Sequence, residues 1–181
     1  MILVITGNGK GKTTSALGTA LRACGWEKKV AVAFFDKGGS HYGEENTLKL
    51  LQAIPTGRQE KIHILRFGLP RFDEKTKTFR FENTEEDKKE AERAFKAVRE
   101  LFGQGYFLII CDEIINCLNL ELLEEKAVRE FVAACPENTH LILTGRNCPG
   151  WLRQEADLIS EINDEKHYFS KGKDAIKGLD Y

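Results

Sequence analysis

The sequence has no excess of positive charge. Its 181 residues carry 27 Lys and Arg against 28 Asp and Glu, a formal net charge of -1. A nucleic-acid partner held by counterion release has no electrostatic footing here. It also lacks any C-x-x-C pair. The five cysteines (Cys24, Cys111, Cys117, Cys135 and Cys148) are scattered and odd in number, which indicates neither a zinc site nor a disulfide framework. They read as small buried side chains of a protein kept reduced. No apolar run approaches the length of a membrane span. Met1–Ile5 has no basic region before it, and the glycine-rich stretch Gly7–Lys12 follows at once, so it does not read as a signal peptide. A cytoplasmic protein is expected, with neither nucleic acid nor membrane as partner. The histidines His41, His63, His140 and His167 stand apart, no two at metal-ligand spacing.

What is present is an alternation of apolar runs and helical patterns. Met1–Thr6, Val30–Phe35, Lys61–Arg66, Tyr106–Cys111, Thr139–Leu143 and Leu158–Ile162 read as strands. Runs unbroken by polar residues imply strands buried on both faces, hence a parallel sheet covered by helices. Lys12–Cys24, Thr84–Phe102 and Glu124–Ala134 read as helices. The second of these opens on Thr84 with Asp87 three residues later, a capping-box pattern. A single domain over residues 1–181 is expected, a three-layer α/β sandwich with a mostly parallel central sheet. The polar, aromatic-studded stretch Phe67–Asn83 reads as a long surface loop, and loops of that length are uncommon without a function.

The strongest local signal is Thr6-Gly7-Asn8-Gly9-Lys10-Gly11-Lys12-Thr13-Thr14, between a strand and a helix. Glycines let the backbone wrap a phosphate chain with its N–H groups inward, and the helix N-terminus adds the positive end of its dipole. In such a P-loop Lys12 supplies a point charge to the phosphates and Thr13 a hydroxyl to Mg²⁺. Only three residues separate Gly7 from Gly11, where four are usual, and Thr6 stands where the first glycine normally would. The second signal is Leu108–Cys111 followed by Asp112-Glu113. An acid at that strand end binds Mg²⁺ directly or through water in P-loop proteins, and either acid fits. Arg146, in Thr144-Gly145-Arg146, lies at the edge where ligands bind in such folds.

Together these segments resemble the P-loop type of ATP:corrinoid adenosyltransferase. The likeness is carried by Thr6–Gly18 (TGNGKGKTTSALG), Asp112–Leu118 (DEIINCL), Leu143–Pro149 (LTGRNCP) and Ala156–Ile162 (ADLISEI). Lys166-His167 and the ending Gly178-Leu179-Asp180-Tyr181 extend it. These stretches run in order through nearly the whole chain, and the shortened glycine loop is the form this family uses. The resemblance implies a P-loop NTPase (RecA-like) fold. It also implies transfer of the 5′-deoxyadenosyl group of ATP to the cobalt(I) of a corrinoid, with release of triphosphate. ATP would sit reversed relative to ordinary P-loop enzymes.

By the same resemblance Gly7, Asn8, Gly9, Lys10, Gly11, Lys12, Thr13 and Thr14 would hold the phosphates, with Lys37, Asn116 and Arg146 beside them. Thr13 and Glu113, with Asp112, would hold Mg²⁺. Lys12, Glu113 and Arg146 would carry the catalysis. The family uses loop aromatics to displace the lower ligand of cobalt; here Phe67-Gly68-Leu69-Pro70-Arg71-Phe72 replaces its glycine-phenylalanine-x-tryptophan pattern. Phe67, Leu69 and Phe72 are therefore the corrinoid candidates, together with His167 on the family's lysine-histidine pair. No D-x-H-x-x-G motif occurs, so histidine ligation of cobalt is not expected. A reduced flavoprotein as electron donor and a homodimer are implied as well. Two other readings share the P-loop. One is a small-molecule or nucleoside kinase, with Arg66, Arg71 and Arg80 available to a lid. The other is a non-catalytic ATP-binding switch.

Overall fold

Strand-forming segments whose two faces are both apolar assemble at the centre of the fold. In the computed structural model, which describes residues 1–38, 43–53, 62–73, 76, 78–80 and 82–180, β1 (Ile2–Thr6) leads through the glycine loop into α1 (Lys12–Gly25). Then follow β2 (Val30–Phe34), α2 (Gly43–Ala53), β3 (Ile62–Arg66), the short pair β4 (Phe72–Asp73) and β5 (Thr78–Phe79), and α3 (Glu85–Arg99). The second half runs through β6 (Leu108–Asp112), α4 (Ile114–Asn119), α5 (Glu125–Ala133), β7 (His140–Thr144), α6 (Gly150–Glu155) and β8 (Leu158–Glu161). A 3₁₀ turn at Tyr168–Lys171 follows. His41, Lys61 and Tyr181 lie outside the described residues.

Six strands form one sheet in the order β3-β2-β6-β7-β1-β8, and every neighbouring pair is parallel. β2 and β6, in the interior, are buried at every position, whereas β8 on the edge is largely exposed. Side chains alternate between two cores. Ala31, Ala33, Ile109, Cys111, Leu141 and Leu143 face α3, α4, α5 and α6. Val30, Val32, Phe34, Leu108, Ile110 and Ile142 face α1 and α2. On α1 the buried residues are Ala16, Ala20 and Ala23, so that helix meets the sheet through small side chains at helical spacing.

This is the expected three-layer P-loop arrangement of RecA-like type, with β7 standing between the glycine-loop strand β1 and the acid-bearing strand β6. The capping box is present: Thr84 accepts from the Asp87 N–H, and the Asp87 carboxylate accepts from the Thr84 N–H. One expectation needs correction. Phe67–Asn83 is not loop throughout, because Phe72 pairs with Phe79 and Asp73 with Thr78 in an antiparallel ribbon. Parallel strands all end at one edge, so the segments after β1, β2, β6, β7 and β8 meet there.

Candidate active site

At that edge Gly7 leaves β1 at φ +98°, and a Cβ added to it would lie 2.2 Å from the Ile162 carbonyl oxygen. Only glycine fits so close to the neighbouring chain. The Gly9 N–H donates to the same Ile162 oxygen at 2.8 Å, and the Lys10 N–H donates to Asp164 Oδ1 at 3.1 Å. The exit of β8 thus clamps the first half of the loop. Gly11, at φ +114°, is the N-cap of α1, which has no side-chain cap; the Ser15 N–H bonds back to the Gly11 carbonyl at 2.8 Å. The uncapped first turn opens on a cavity of about 1200 Å³ whose lining includes Gly11, Lys12, Thr13 and Thr14. Backbone donors at a helix N-terminus are an anion site. The Lys12 ammonium rests on the Gly9 carbonyl at 2.6 Å; burial, then the Arg146 charge, lower its pKa.

The two acids take different positions. Asp112 is fully buried. Its Oδ2 accepts from the Thr13 hydroxyl at 3.1 Å and pairs with the Lys37 ammonium at 2.8 Å, and its Oδ1 accepts from the Thr144 hydroxyl at 2.7 Å. Lys37 also donates to Thr13 Oγ1 at 2.9 Å. Burial alone would lower the Lys37 pKa, but the charges of Asp112 and Glu113 carry it above its ordinary value. Glu113 turns from β6 into α4 at φ +66°, a left-handed conformation that costs a side chain energy and clusters at functional sites. Its N–H donates to Thr144 Oγ1 at 2.9 Å. Burial pushes its carboxyl up to about 7 against the opposing pull of Lys37, and it lines the cavity where Asp112 does not.

Arg146 follows Gly145 on an exposed turn. Its N–H donates to Asn116 Oδ1 at 2.8 Å, and its carbonyl accepts from Asn119 Nδ2 at 2.8 Å. Asn116 therefore holds the Arg146 turn as well as lining the cavity.

Thr13, Asp112 and Glu113 bring together one hydroxyl and two carboxylates, the hard oxygen donors that suit Mg²⁺. A lysine cation already stands against Thr13 and Asp112, which shows that the pair receives positive charge. Among the described residues no group of three or more His, Cys, Asp and Glu could hold a metal unaided. Such a site draws its remaining ligands from substrate oxygens and water.

Most of the residues singled out in the sequence meet here. Asn8, Gly9, Lys10, Gly11, Lys12, Thr13, Thr14, Lys37, Glu113, Asn116, Arg146 and His167 line one cavity, with Gly7 and Asp112 behind the wall. The corrinoid candidates are dispersed. Phe67 is buried in the core under the Arg93 guanidinium, 5.1 Å from its ring centroid. Leu69 is half-buried against Gly38. The side chain of Phe72 lies outside the described residues. Arg66, Arg71 and Arg80 bond to the Lys37 carbonyl, to Asp36 and Asn83, and to Asp87, and none of the three lines the cavity.

Sequence reasoning missed Glu44 on α2, the apolar wall of Leu17, Leu21, Leu48 and Leu51, and the C-terminal segment. There Asp180 pairs with the Lys10 ammonium at 2.8 Å, Leu179 offers its carbonyl to the same ammonium, and the Tyr168 hydroxyl donates to the Asp180 carboxylate. The Leu179-Asp180 ending carried a resemblance but no local pattern that named a role.

Residues 1–181 match the family described as ATP:corrinoid adenosyltransferase BtuR/CobO/CobP. The corrinoid adenosyltransferase of Escherichia coli is 34% identical over 182 residues, covering 100% of this chain and 85% of that one. The corrinoid adenosyltransferase of Salmonella typhimurium is 32% identical over 182 residues, with the same coverage. A solved KaiC-like protein of Pyrococcus horikoshii OT3 is 16% identical, covers 92% of this chain and 74% of that one, and has a TM-score of 0.48. That likeness is too remote to argue from, and the fold rests on the strand order.

Proposed function

The chain belongs to the ATP:corrinoid adenosyltransferase family, and on that premise we propose how its residues move the 5′-deoxyadenosyl group of ATP to the cobalt(I) of a corrinoid. The enzyme is a transferase, and its leaving group is the whole triphosphate. The observation that carries the assignment of roles is the single cavity onto which the uncapped start of α1, Lys12, Glu113 and Arg146 all open.

Cobalt(I) is a strong nucleophile and C5′ of the ribose is the electrophile, so no base is required to activate water. Catalysis then consists of aligning C5′ with cobalt and stabilising the charge that grows on the departing triphosphate. The N–H groups of Gly11, Lys12 and Thr13 receive phosphate oxygens, as the corresponding donors of a P-loop do. Lys12 gives up the Gly9 carbonyl for the phosphates, and Arg146, exposed on its turn, adds a second positive charge. Thr13 and Glu113, with Asp112 behind them, would hold Mg²⁺, which supplies further positive charge to the triphosphate. Lys37 and Asn116 complete the nucleotide side.

On the corrinoid side, Leu69, Phe72 and His167 are proposed to meet the ring. Phe67 supports that loop from the core, so the aromatic contribution to lower-ligand displacement falls to Phe72. Residues 1–181 would act as one domain in a cytoplasmic homodimer supplied by a reduced flavoprotein. Among the described residues no helix is long and apolar enough to cross a membrane.

The test mixes the protein with ATP, Mg²⁺ and chemically reduced cob(I)alamin without oxygen, follows the corrin spectrum and identifies the phosphate product. Adenosylcobalamin with triphosphate, lost in Lys12→Ala, is the expected result. ADP as product would return the protein to the kinases, and ATP binding without corrinoid turnover to the switches. Neither alternative is favoured by the family match, and Arg66, Arg71 and Arg80, which a kinase lid would need, are held by protein partners.

A further inference from the structure

Lys37 follows β2, and its backbone is held on both sides. Its N–H donates to the Phe67 carbonyl at 3.3 Å, and its carbonyl accepts from Arg66 Nε at 2.8 Å. The next residue, Gly38, is packed so tightly on Leu69 and Pro70 that a Cβ would lie 2.1 Å from the Leu69 carbonyl carbon. The backbone is anchored, and the ammonium is carried on a four-carbon stem. At the end of that stem the ammonium stands 2.9 Å from Thr13 Oγ1 and 2.8 Å from Asp112 Oδ2. These two oxygens are themselves 3.1 Å apart. The side chain is 8% exposed, and Glu44 Oε1 lies 3.8 Å away on the cavity side.

An ammonium and a metal ion compete for these two oxygens. Mg²⁺ draws its ligands in to about 2.0–2.1 Å, closer than the ammonium stands to either oxygen, so an ion held at Thr13 in front of Asp112 would bring a second positive charge close beside Lys37 Nζ. Two cations at such separation repel strongly when screened from water. Lysine suits the role of an exchangeable charge, because its ammonium is a compact point charge on a flexible stem.

We propose that Lys37 is an internal stand-in for the metal: it neutralises Asp112 and keeps Thr13 beside it in the nucleotide-free protein, and it leaves these oxygens when Mg²⁺ arrives with ATP. The inference rests on the reading given above, in which Thr13 and Glu113, with Asp112 behind them, hold Mg²⁺. Its consequence is an order of events. A lone metal ion must pull a buried ammonium away from Asp112 and Thr13 without bringing an anion of its own to receive it. Metal arriving as the ATP complex brings the triphosphate, and the displaced ammonium turns toward it and toward Glu44. The nucleotide-free enzyme therefore rejects free Mg²⁺, and the metal enters with its nucleotide. Lys37 is a positioning residue for the metal, not merely one more phosphate ligand.

The test is Mn²⁺ binding, read without ATP from the loss of the free-ion electron paramagnetic resonance signal and with ATP from the Mn²⁺ retained with the protein on ultrafiltration, which free Mn–ATP passes. It is run on the wild type, Lys37→Met and Lys37→Gln. The glutamine variant keeps a hydrogen-bonding group near Thr13, in case the methionine variant folds poorly around an unbalanced Asp112. Without nucleotide, the wild type should bind Mn²⁺ weakly and the neutral variants at least tenfold more tightly. Mg²⁺ alone should raise the melting temperature of the variants and leave that of the wild type unchanged. Equal nucleotide-free Mn²⁺ affinity in wild type and folded variant would overturn the stand-in role. Wild type that takes up no Mn²⁺ even with ATP would instead overturn the metal reading beneath it, and the two failures are told apart by the ATP-bound measurement.

Discussion

The Thr144 hydroxyl donates to Asp112 Oδ1 at 2.7 Å from the neighbouring strand and accepts the Glu113 N–H at 2.9 Å. One side chain on β7 thereby orients both acids at the end of β6. Valine at this position would match its shape without the hydroxyl, leaving a buried carboxylate oxygen and a backbone N–H unpaired. Thr144→Val is expected to cost about 2–3 kcal/mol of stability in urea unfolding. It should also raise the Mg²⁺ concentration needed for half-maximal turnover several-fold, and Thr144→Ser should restore both. A stability loss with an unchanged Mg²⁺ requirement would make Thr144 a purely structural residue.

Asp87 gives the fold a defined response to acid. Its carboxylate receives Arg80 at 2.6 and 2.8 Å, together with the N–H and hydroxyl of Thr84. The Arg80 bonds, above all, hold its pKa well below the usual carboxylate range. A depressed folded-state pKa contributes stability that is present above the unfolded value, about 4, and lost as pH falls below it. Wild type should therefore lose about 2 kcal/mol from this group as pH falls from about 5 toward 2. Asp87→Asn should be less stable at neutral pH and flatter across that window. Urea midpoints at several pH values check both, and parallel pH curves for the two proteins would remove Asp87 from the account.

Much of the architecture could be read from the chain because it was written locally. β2 and β6 are continuous apolar runs since both of their faces are covered, and the Thr84–Asp87 box marks the start of α3 within four residues. The six-residue helices and the two-residue strands were missed. α4 and α6 are too short to display a helical period, and β4 and β5 hold two residues each. α2 escaped because its apolar residues mix buried Leu48 with exposed Leu50. The site divides along the same line. The glycine loop and the Asp112-Glu113 pair are contiguous motifs, so they were legible. Lys37 against Asp112, and Asp180 against Lys10, join distant parts of the chain through tertiary contacts that no spacing encodes.

The C-terminal segment offers a prediction about the cavity wall. Asp180 collects the Lys10 ammonium, the Tyr168 hydroxyl and the Ile176 N–H, and so ties this stretch to the glycine loop. Phe169 and Leu179, both exposed, line the cavity from there. Asp180→Asn removes the charge that retains Lys10, and Tyr168→Phe removes a second tie. Each should speed proteolytic clipping after residue 164 several-fold and raise KM for ATP, with little change in melting temperature because the contacts lie at the surface. Unchanged clipping in the double variant would mean that other contacts hold the segment.

Gly7 provides the most stringent test of the loop. Its φ of +98° is open to glycine and strained for any side chain, and a Cβ would come within 2.2 Å of the Ile162 oxygen and 2.8 Å of the Ile162 nitrogen. Both of those atoms are backbone, so neither can turn aside as a side chain could. The same oxygen accepts the Gly9 N–H that shapes the loop. Gly7→Ala must therefore push β8 away or pull the loop off β1, and either movement shifts the donors at the start of α1. The substitution is expected to weaken ATP binding at least tenfold by calorimetry and to lower stability by about 1–3 kcal/mol. Gly18→Ala makes the control: it lies on α1 with open space around its Cβ position and should leave stability equal or slightly higher, since alanine is the better helix former. Equal ATP affinity in Gly7→Ala and wild type would show that the loop does not need this contact to hold phosphate.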